Sequence, residues 1–173
     1  MMTMDMNTVA PAHKVIIGRA EAISFLDFGL LHVPAKVDTG AYGSAVHAVN
    51  CQLSKDGKTL SFDLLGGHPV CGNMSQTITT TQFKTVLISN SFGQTEQRYE
   101  VELKVKVGTQ SFITPFSLAD RSKKIYPILL GRKLLNKRFL VDTSVTRINR
   151  KELKQNYNIS FPADKQTSKE ESS

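Results

Sequence analysis

A mainly β, single-lobe fold with one short helix near its C-terminal end is the architecture this sequence predicts, on three observations. Tyr99, Val101, Leu103, Val105 and Val107 alternate with Glu100, Glu102, Lys104 and Lys106, the period-two pattern of a strand with one face buried and the other in water. Short apolar runs separated by Gly, Asn, Asp or Pro recur along most of the chain, as they do in small barrels and folded sheets. Helical spacing is convincing at one place only, opening near Gly131 and holding Leu134 and Leu135.

Taken in order, residues 1–12 are Met-rich and polar and read as a disordered N-terminal segment. The folded domain is expected over 13–152. Its first strand is Val15-Ile16-Ile17, its next runs from Leu31 to Val37 and stops at an aspartate, and a third covers Leu60 to Leu65. The stretch Ile78 to Ile88 is expected to pair with the alternating strand through the turn-like Asn90-Ser91-Phe92-Gly93. Phe112 to Leu118 and Phe139 to Val141 add two more strands, and 153–173, rich in Ser, Lys and Glu, reads as a flexible polar tail.

Composition narrows the class. With 173 residues and 40% hydrophobic content, the chain can build one core but not two full lobes. No apolar run approaches the roughly 18 residues of a membrane span, and residues 1–12 lack the apolar centre of a secretory signal. The expected address is the cytoplasm, with no membrane partner. Cys51 and Cys71 then read as free thiols. The net charge of +7 is uneven: Arg121 to Lys154 holds eleven Lys and Arg against Asp142 and Glu152. Such a face either favours acidic partners or is merely solvated. Aromatic interleaving and nucleic-acid motifs are missing from it, which argues against nucleic acid.

Two segments carry chemistry. In Val37-Asp38-Thr39-Gly40-Ala41 a carboxylate ends an apolar strand and is followed by a small hydroxyl residue and a glycine; far downstream, Pro127 to Leu135 is an apolar run that ends in Gly131-Arg132 and enters a helix. Alone, the first is ordinary turn chemistry, an aspartate capping its own turn. In this order and at this separation the two resemble the retropepsin-like aspartic proteases. The resemblance covers about Lys14 to Asp142 and is greatest to the bacterial proteins called ATP-dependent zinc proteases, through Ser44-Ala45, His47-Ala48, Leu130-Gly131-Arg132 and Phe139 to Ser144.

The resemblance implies an acid-protease barrel, a catalytic Asp38 with Thr39 and Gly40 beside it, a cleft kept open by the small Ala41, and a brace from Gly131 and Arg132. Thr39 would interlock with a partner chain, and Gly40 would bring its N–H to the carboxylate. Two positions depart from the pattern. Tyr42 stands where retropepsins carry an aspartate for the arginine, and Lys36 where viral enzymes are apolar. Asp142-Thr143-Ser144 echoes the motif, but nothing downstream could build a second lobe, so it reads as the polar end of a strand.

One Asp-Thr-Gly in one lobe implies a homodimer. Two Asp38 carboxyls facing each other cannot both ionise, so the pair shares one proton. One activates a water; the other polarises the scissile carbonyl and then helps protonate the leaving amine. That chemistry needs no metal, nucleotide or other cofactor. Gly66-Gly67-His68-Pro69 reads as the flap over the cleft, or simply as a turn, and the expected substrate is a peptide or protein, acidic if the charge argument holds.

Three further readings stay open. His47, Cys51, His68 and Cys71 form a possible zinc inventory for a metal-dependent hydrolase, yet neither half matches a zinc finger or a His-Glu-x-x-His helix. Their plainer reading is two small buried hydrophobes, a strand histidine and a loop histidine. ATP has no glycine-rich phosphate cradle here. A non-catalytic binding module on the protease fold is the main functional alternative, with Lys36 and Tyr42 near the site as its motive.

Overall fold

The apolar runs fold as eleven strands and two short helices across residues 13–157, which the computed structural model describes. The expected N-terminal segment and most of the expected tail lie outside the described residues. β1 (Val15–Ile17) and β2 (Ala20–Phe25) lead through a 3-10 turn to β3 (Leu30–Val37), and the loop bearing Asp38 joins β3 to β4 (Ser44–Leu53). There follow β5 (Leu60–Leu64), β6 (Gln76–Thr80), β7 (Lys84–Ser89), β8 (Thr95–Val107), β9 (Gln110–Ala119), β10 (Ile128–Leu130), α1 (Arg132–Leu135), β11 (Phe139–Val141) and α2 (Arg150–Asn156).

Six of these strands close into a barrel in the order β10, β3, β2, β8, β9, β4, with β4 returning to β10. β10 is the closing stave. It runs parallel to β3, Leu130 opposite Val37, and antiparallel to β4, Ile128 opposite Val46. It therefore fills the gap between the two strands that the Asp38 loop connects. Alternation supplies the core: Val101, Leu103, Val105 and Val107 all point inward from β8, where Phe25, Phe116, Ile128 and Leu130 are fully buried. The Phe25 and Phe116 rings meet edge-on at 6.1 Å. Beyond the barrel, β5 and β6 extend the sheet from β4, while β7 pairs with β8.

Two expectations change. The stretch from Ile78 to Ile88 is not one strand: β6 pairs with β5 and β7 with β8. The chain breaks between them, where Phe83 packs edge-on against Tyr99 at 5.9 Å. The expected turn at Asn90 is present, the Asn90 side-chain oxygen accepting from the Phe92 and Gln94 N–H groups at 3.0 Å each. Residues 153–156 belong to α2 and not to a tail. Asn149 caps that helix by accepting from the Lys151 and Glu152 N–H groups, and Leu153 is buried with Val70 and Ile125. Asn149 followed three residues later by Glu152 is a helix-start signal that was legible in the sequence.

The barrel carries a second, smaller copy of its closing device. β1 runs parallel to β11 with Ile17 opposite Val141, as Leu130 lies opposite Val37. The Asp142 N–H donates to the Ile17 carbonyl at 2.9 Å and the Arg19 N–H to the Val145 carbonyl at 2.8 Å. The corresponding bonds at the main loop run from Asp38 to Leu130 at 2.9 Å and from Arg132 to Ala41 at 2.8 Å. Ile16-Ile17-Gly18-Arg19 with Val141-Asp142-Thr143-Ser144 thus repeats Leu129-Leu130-Gly131-Arg132 with Val37-Asp38-Thr39-Gly40. Gly18 and Gly131 are glycines for one reason: a Cβ would lie 2.3 Å from the Val145 carbonyl oxygen in the first and 2.2 Å from that of Gly43 in the second.

Candidate active site

Asp38 stands half-exposed where β3 leaves the core behind Ala35 and Val37. Its N–H is held by the Leu130 carbonyl, and its Oδ1 accepts from the Gly40 N–H at 3.0 Å. Its other oxygen has no hydrogen-bond donor among the described residues. The turn is stapled from outside. Arg132 donates through one terminal nitrogen to the Thr39 and Gly40 carbonyls, at 3.1 and 2.9 Å, and the Lys133 N–H reaches the Tyr42 carbonyl at 2.9 Å. The Gly131 N–H donates to Ser44 Oγ at 3.0 Å, and Ser117 Oγ to the Ser44 carbonyl at 3.3 Å.

This accounts for Tyr42. The arginine needs no aspartate because it braces the turn through two backbone carbonyls, leaving the Tyr42 ring 6.0 Å from the guanidinium and largely in solvent. Lys36 is likewise exposed. Thr39 and Gly40 are exposed and Ala41 half-exposed, so all three line the open side of the turn.

Asp142 shows what the duplicate loop lacks. Ser144 stands where the first loop has Gly40, and it donates both its N–H, at 2.9 Å, and its hydroxyl, at 2.6 Å, to Asp142 Oδ1. Those bonds hold the carboxyl below its usual range. The backbone frame is repeated, but here the carboxylate is committed to its own turn.

The glycine segment is not a flap. Gly66 is buried, and its carbonyl accepts from His47 Nε2 at 2.8 Å. His68, 1% exposed, donates through Nε2 to the Arg121 and Lys124 carbonyls at 3.0 Å each and accepts from the Val70 N–H at Nδ1. The segment is pinned because a buried imidazole must satisfy both nitrogens, and its partners lie on a loop far away in sequence. The element that projects is instead the β7–β8 hairpin, with Leu87 73% and Phe92 88% exposed near its tip.

The two histidines form a buried brace. His47 Nδ1 accepts from the Arg121 N–H at 2.9 Å, and the rings sit edge-on 5.0 Å apart. Burial first, then the neighbouring His47, push His68 down to about 4. All four ring nitrogens are engaged with backbone, so the pair ties the loop 120–126 to β4. The structure does not gather the four residues of the possible zinc inventory. Cys51 is exposed on β4, while Cys71 is buried in the core with its thiol pushed up to about 12 by desolvation. Among the described residues no group of three or more His, Cys, Asp or Glu is placed to hold a metal.

Beside the turn a cleft of about 570 Å³ opens between Thr39, Tyr42 and Arg132 on one side and Leu135, Phe139 and Leu140 on the other. Next to it Ile16 and Leu140, opposite each other in the β1–β11 register, are 55% and 52% exposed. No helix among the described residues is long and apolar enough to cross a membrane.

A closed six-strand barrel presenting an aspartate on a stapled Asp-Thr-Gly turn defines the retropepsin-like class of folds. The chain belongs within it to the RimB-like family, described as retropepsin-like aspartic endopeptidase RimB, which matches residues 16–152. Among curated proteins it is 33% identical over 137 residues to a "Probable alpha-L-glutamate ligase" of Shewanella pealeana and 31% identical over 137 residues to one of Desulfotalea psychrophila. Each match covers 76% of this chain and 29% of the relative, so the chain spans under a third of their length. A solved structure, protein Lpg0085 (DUF785) of Legionella pneumophila, titled as of unknown function, superposes with a TM-score of 0.60 at 26% identity, over 78% of this chain and 97% of that one.

Proposed function

We propose that this chain is an aspartic endopeptidase that acts as a homodimer, one Asp38 from each copy sharing a proton and activating one water between them. The observation that carries this reading is the state of Asp38: one half-exposed carboxylate per chain, fixed through Gly40 on a turn braced by Arg132. A dyad needs that rigidity, since the proton is shared only at close and constant spacing. The apolar Ile16 and Leu140 beside the Thr39 cleft are the face assigned to the second copy. The flap role passes to the β7–β8 hairpin, whose free edge suits an extended peptide adding as a strand.

Acidic protein segments are the substrates this reading favours. Two observations support it: the eleven basic residues from Arg121 to Lys154, and the match to a region of proteins named probable alpha-L-glutamate ligases. A cytoplasmic site of action agrees with both cysteines being free.

The test is cleavage of a mixed peptide library by purified protein, with Asp38→Asn alongside. Loss of at least about a hundredfold in turnover is expected in the variant, with fold and dimer intact. Undiminished turnover would overturn the peptidase. Peptide binding without turnover, by a monomer at micromolar concentration, would favour the binding-module alternative.

A further inference from the structure

The strand order of the barrel conceals a gap beside β8. Along one edge β8 pairs with β9 from Glu100 to Val107. Its other edge meets β7 only as far as Glu100, opposite Lys84, and meets β2 only at Lys106 and Val107. Over residues 101–105 that edge has no partner strand among the described residues. Alternate residues there turn their N–H and carbonyl toward the gap, so the stretch is a template for one more short strand. β7 begins on one side of the gap, and on the other β2 passes into the 3-10 turn Leu26–Phe28.

A cavity of about 590 Å³ opens in the same place. Its walls carry Phe28 from the 3-10 turn, Phe62 and Ile78 from β5 and β6, Phe83 from just ahead of β7, and Val101 and Leu103 from the unpaired edge itself. Phe62, Val101 and Leu103 belong to the core, whereas Phe28, Ile78 and Phe83 are only half-buried. Three large apolar side chains thus keep part of their surface in water around a space that one further side chain would fill. The rim charges balance, Lys84 and Lys133 against Glu100 and Glu102, so apolar fit and not net charge decides what enters. Lys133 also lines the cleft beside Thr39. The two spaces therefore share one residue, and a single extended polypeptide can reach both.

We infer that this gap is a second binding site for the protein substrate, in which an extended segment adds as a strand along residues 101–105 while a bulky apolar side chain such as Phe or Leu fills the cavity. Main-chain pairing supplies affinity for any extended chain, and the cavity selects the side chain. The site lies at the root of the β7–β8 hairpin and not at its tip. The inference deepens the peptidase reading by naming a class of residue that the substrate carries away from the scissile bond; its effect on cleavage rests on that reading, its binding does not.

The probe is a capped peptide Thr-Val-Thr-Phe-Thr-Val-Thr, compared with the same peptide carrying Ala at its centre. Each is titrated into full-length Asp38→Asn protein, and the backbone amides are followed by NMR. The Phe peptide should bind about tenfold to a hundredfold more tightly than the Ala peptide, shifting the amides of residues 101–105 and slowing the exchange of alternate ones. Gln82→Trp, which lays a ring across the rim from an exposed position, and Phe28→Ala, which removes a wall, should each bring that preference near one. Where the unmutated protein cleaves, a bulky apolar residue placed away from the scissile bond should lower KM at unchanged kcat. No binding of either peptide at millimolar concentration, equal binding of both, shifts centred elsewhere, or a preference that survives both variants overturns the site even if Asp38-dependent cleavage is found. The expected binding with no cleavage of any peptide would uphold the site and sink the peptidase. Because the Phe-to-Ala change lies in the peptide, that arm does not depend on a cavity variant folding.

Discussion

His68 decides more about this protein than its place in a glycine-rich segment suggests. It is held neutral, with its pKa down at about 4 against an ordinary value near 6.5. A histidine depressed in the fold binds its proton more readily when unfolded, so its contribution is complete above about pH 6.5 and is lost as pH falls towards 4. Stability by chemical denaturation should therefore drop by about 3 kcal/mol between pH 7 and pH 4, and His68→Gln should flatten that part of the profile. An unchanged slope in the variant would place the acid sensitivity elsewhere. Since His68 anchors the carbonyls of Arg121 and Lys124, acid should loosen the loop 120–126. None of this was legible locally. A histidine between glycines and a proline looks like a turn residue until its partners, on a loop more than fifty residues downstream, are brought to it.

At the scale of elements, the two Gly-Arg loops form a controlled comparison within one chain. Both glycines face a carbonyl that leaves no room for a methyl group, so Gly18→Ala and Gly131→Ala should each cost about 3 kcal/mol by overpacking. Their effects on turnover should separate. Gly131→Ala displaces the backbone of Gly43 and with it the Asp38 turn; Gly18→Ala displaces only the Asp142 turn. Stability curves of the two variants should thus run close together, while peptide cleavage near neutral pH collapses in Gly131→Ala alone. Equal loss of turnover would mean that the duplicate loop serves the site. The Asp-Thr-Gly and Gly-Arg motifs were readable because both report a backbone constraint that few sequences satisfy, and the β8 strand was readable because its two faces differ in polarity. The duplicate was half readable: Asp142-Thr143-Ser144 echoes the motif openly, whereas Ile16-Ile17-Gly18-Arg19 shares only the short apolar-apolar-Gly-Arg order of Leu129 to Arg132. β2 and the first half of β4 escaped because they are buried continuously, and strands buried on both faces lose the alternation that marks them.

For the whole molecule, the question is what completes the site. One lobe supplies one Asp-Thr-Gly carboxylate, and in the duplicate loop Ser144 donates both its N–H and its hydroxyl to Asp142. On the proposed reading a second copy supplies the other half of the dyad, and the surface near Asp38 suits one: Ile16 and Leu140 side by side in solvent, Tyr42 exposed, and a cleft lined by Leu135 and Phe139. A small apolar sheet face left in water is costly alone and is covered at little cost by its own twofold image, since the same patch meets itself. Light scattering at micromolar concentration should give about twice the chain mass of 19.2 kDa. Leu140→Glu should return it to the monomer, because like charges would then meet across the axis. The residue lies outside the barrel core, so the monomer should keep its thermal transition while cleavage falls with the dimer. Restored cleavage at higher protein concentration would tie activity to association, since mass action refills a weakened interface but does not repair a damaged site. A monomeric Leu140→Glu protein with full turnover would contradict the shared dyad and require a single Asp38 to work without its partner.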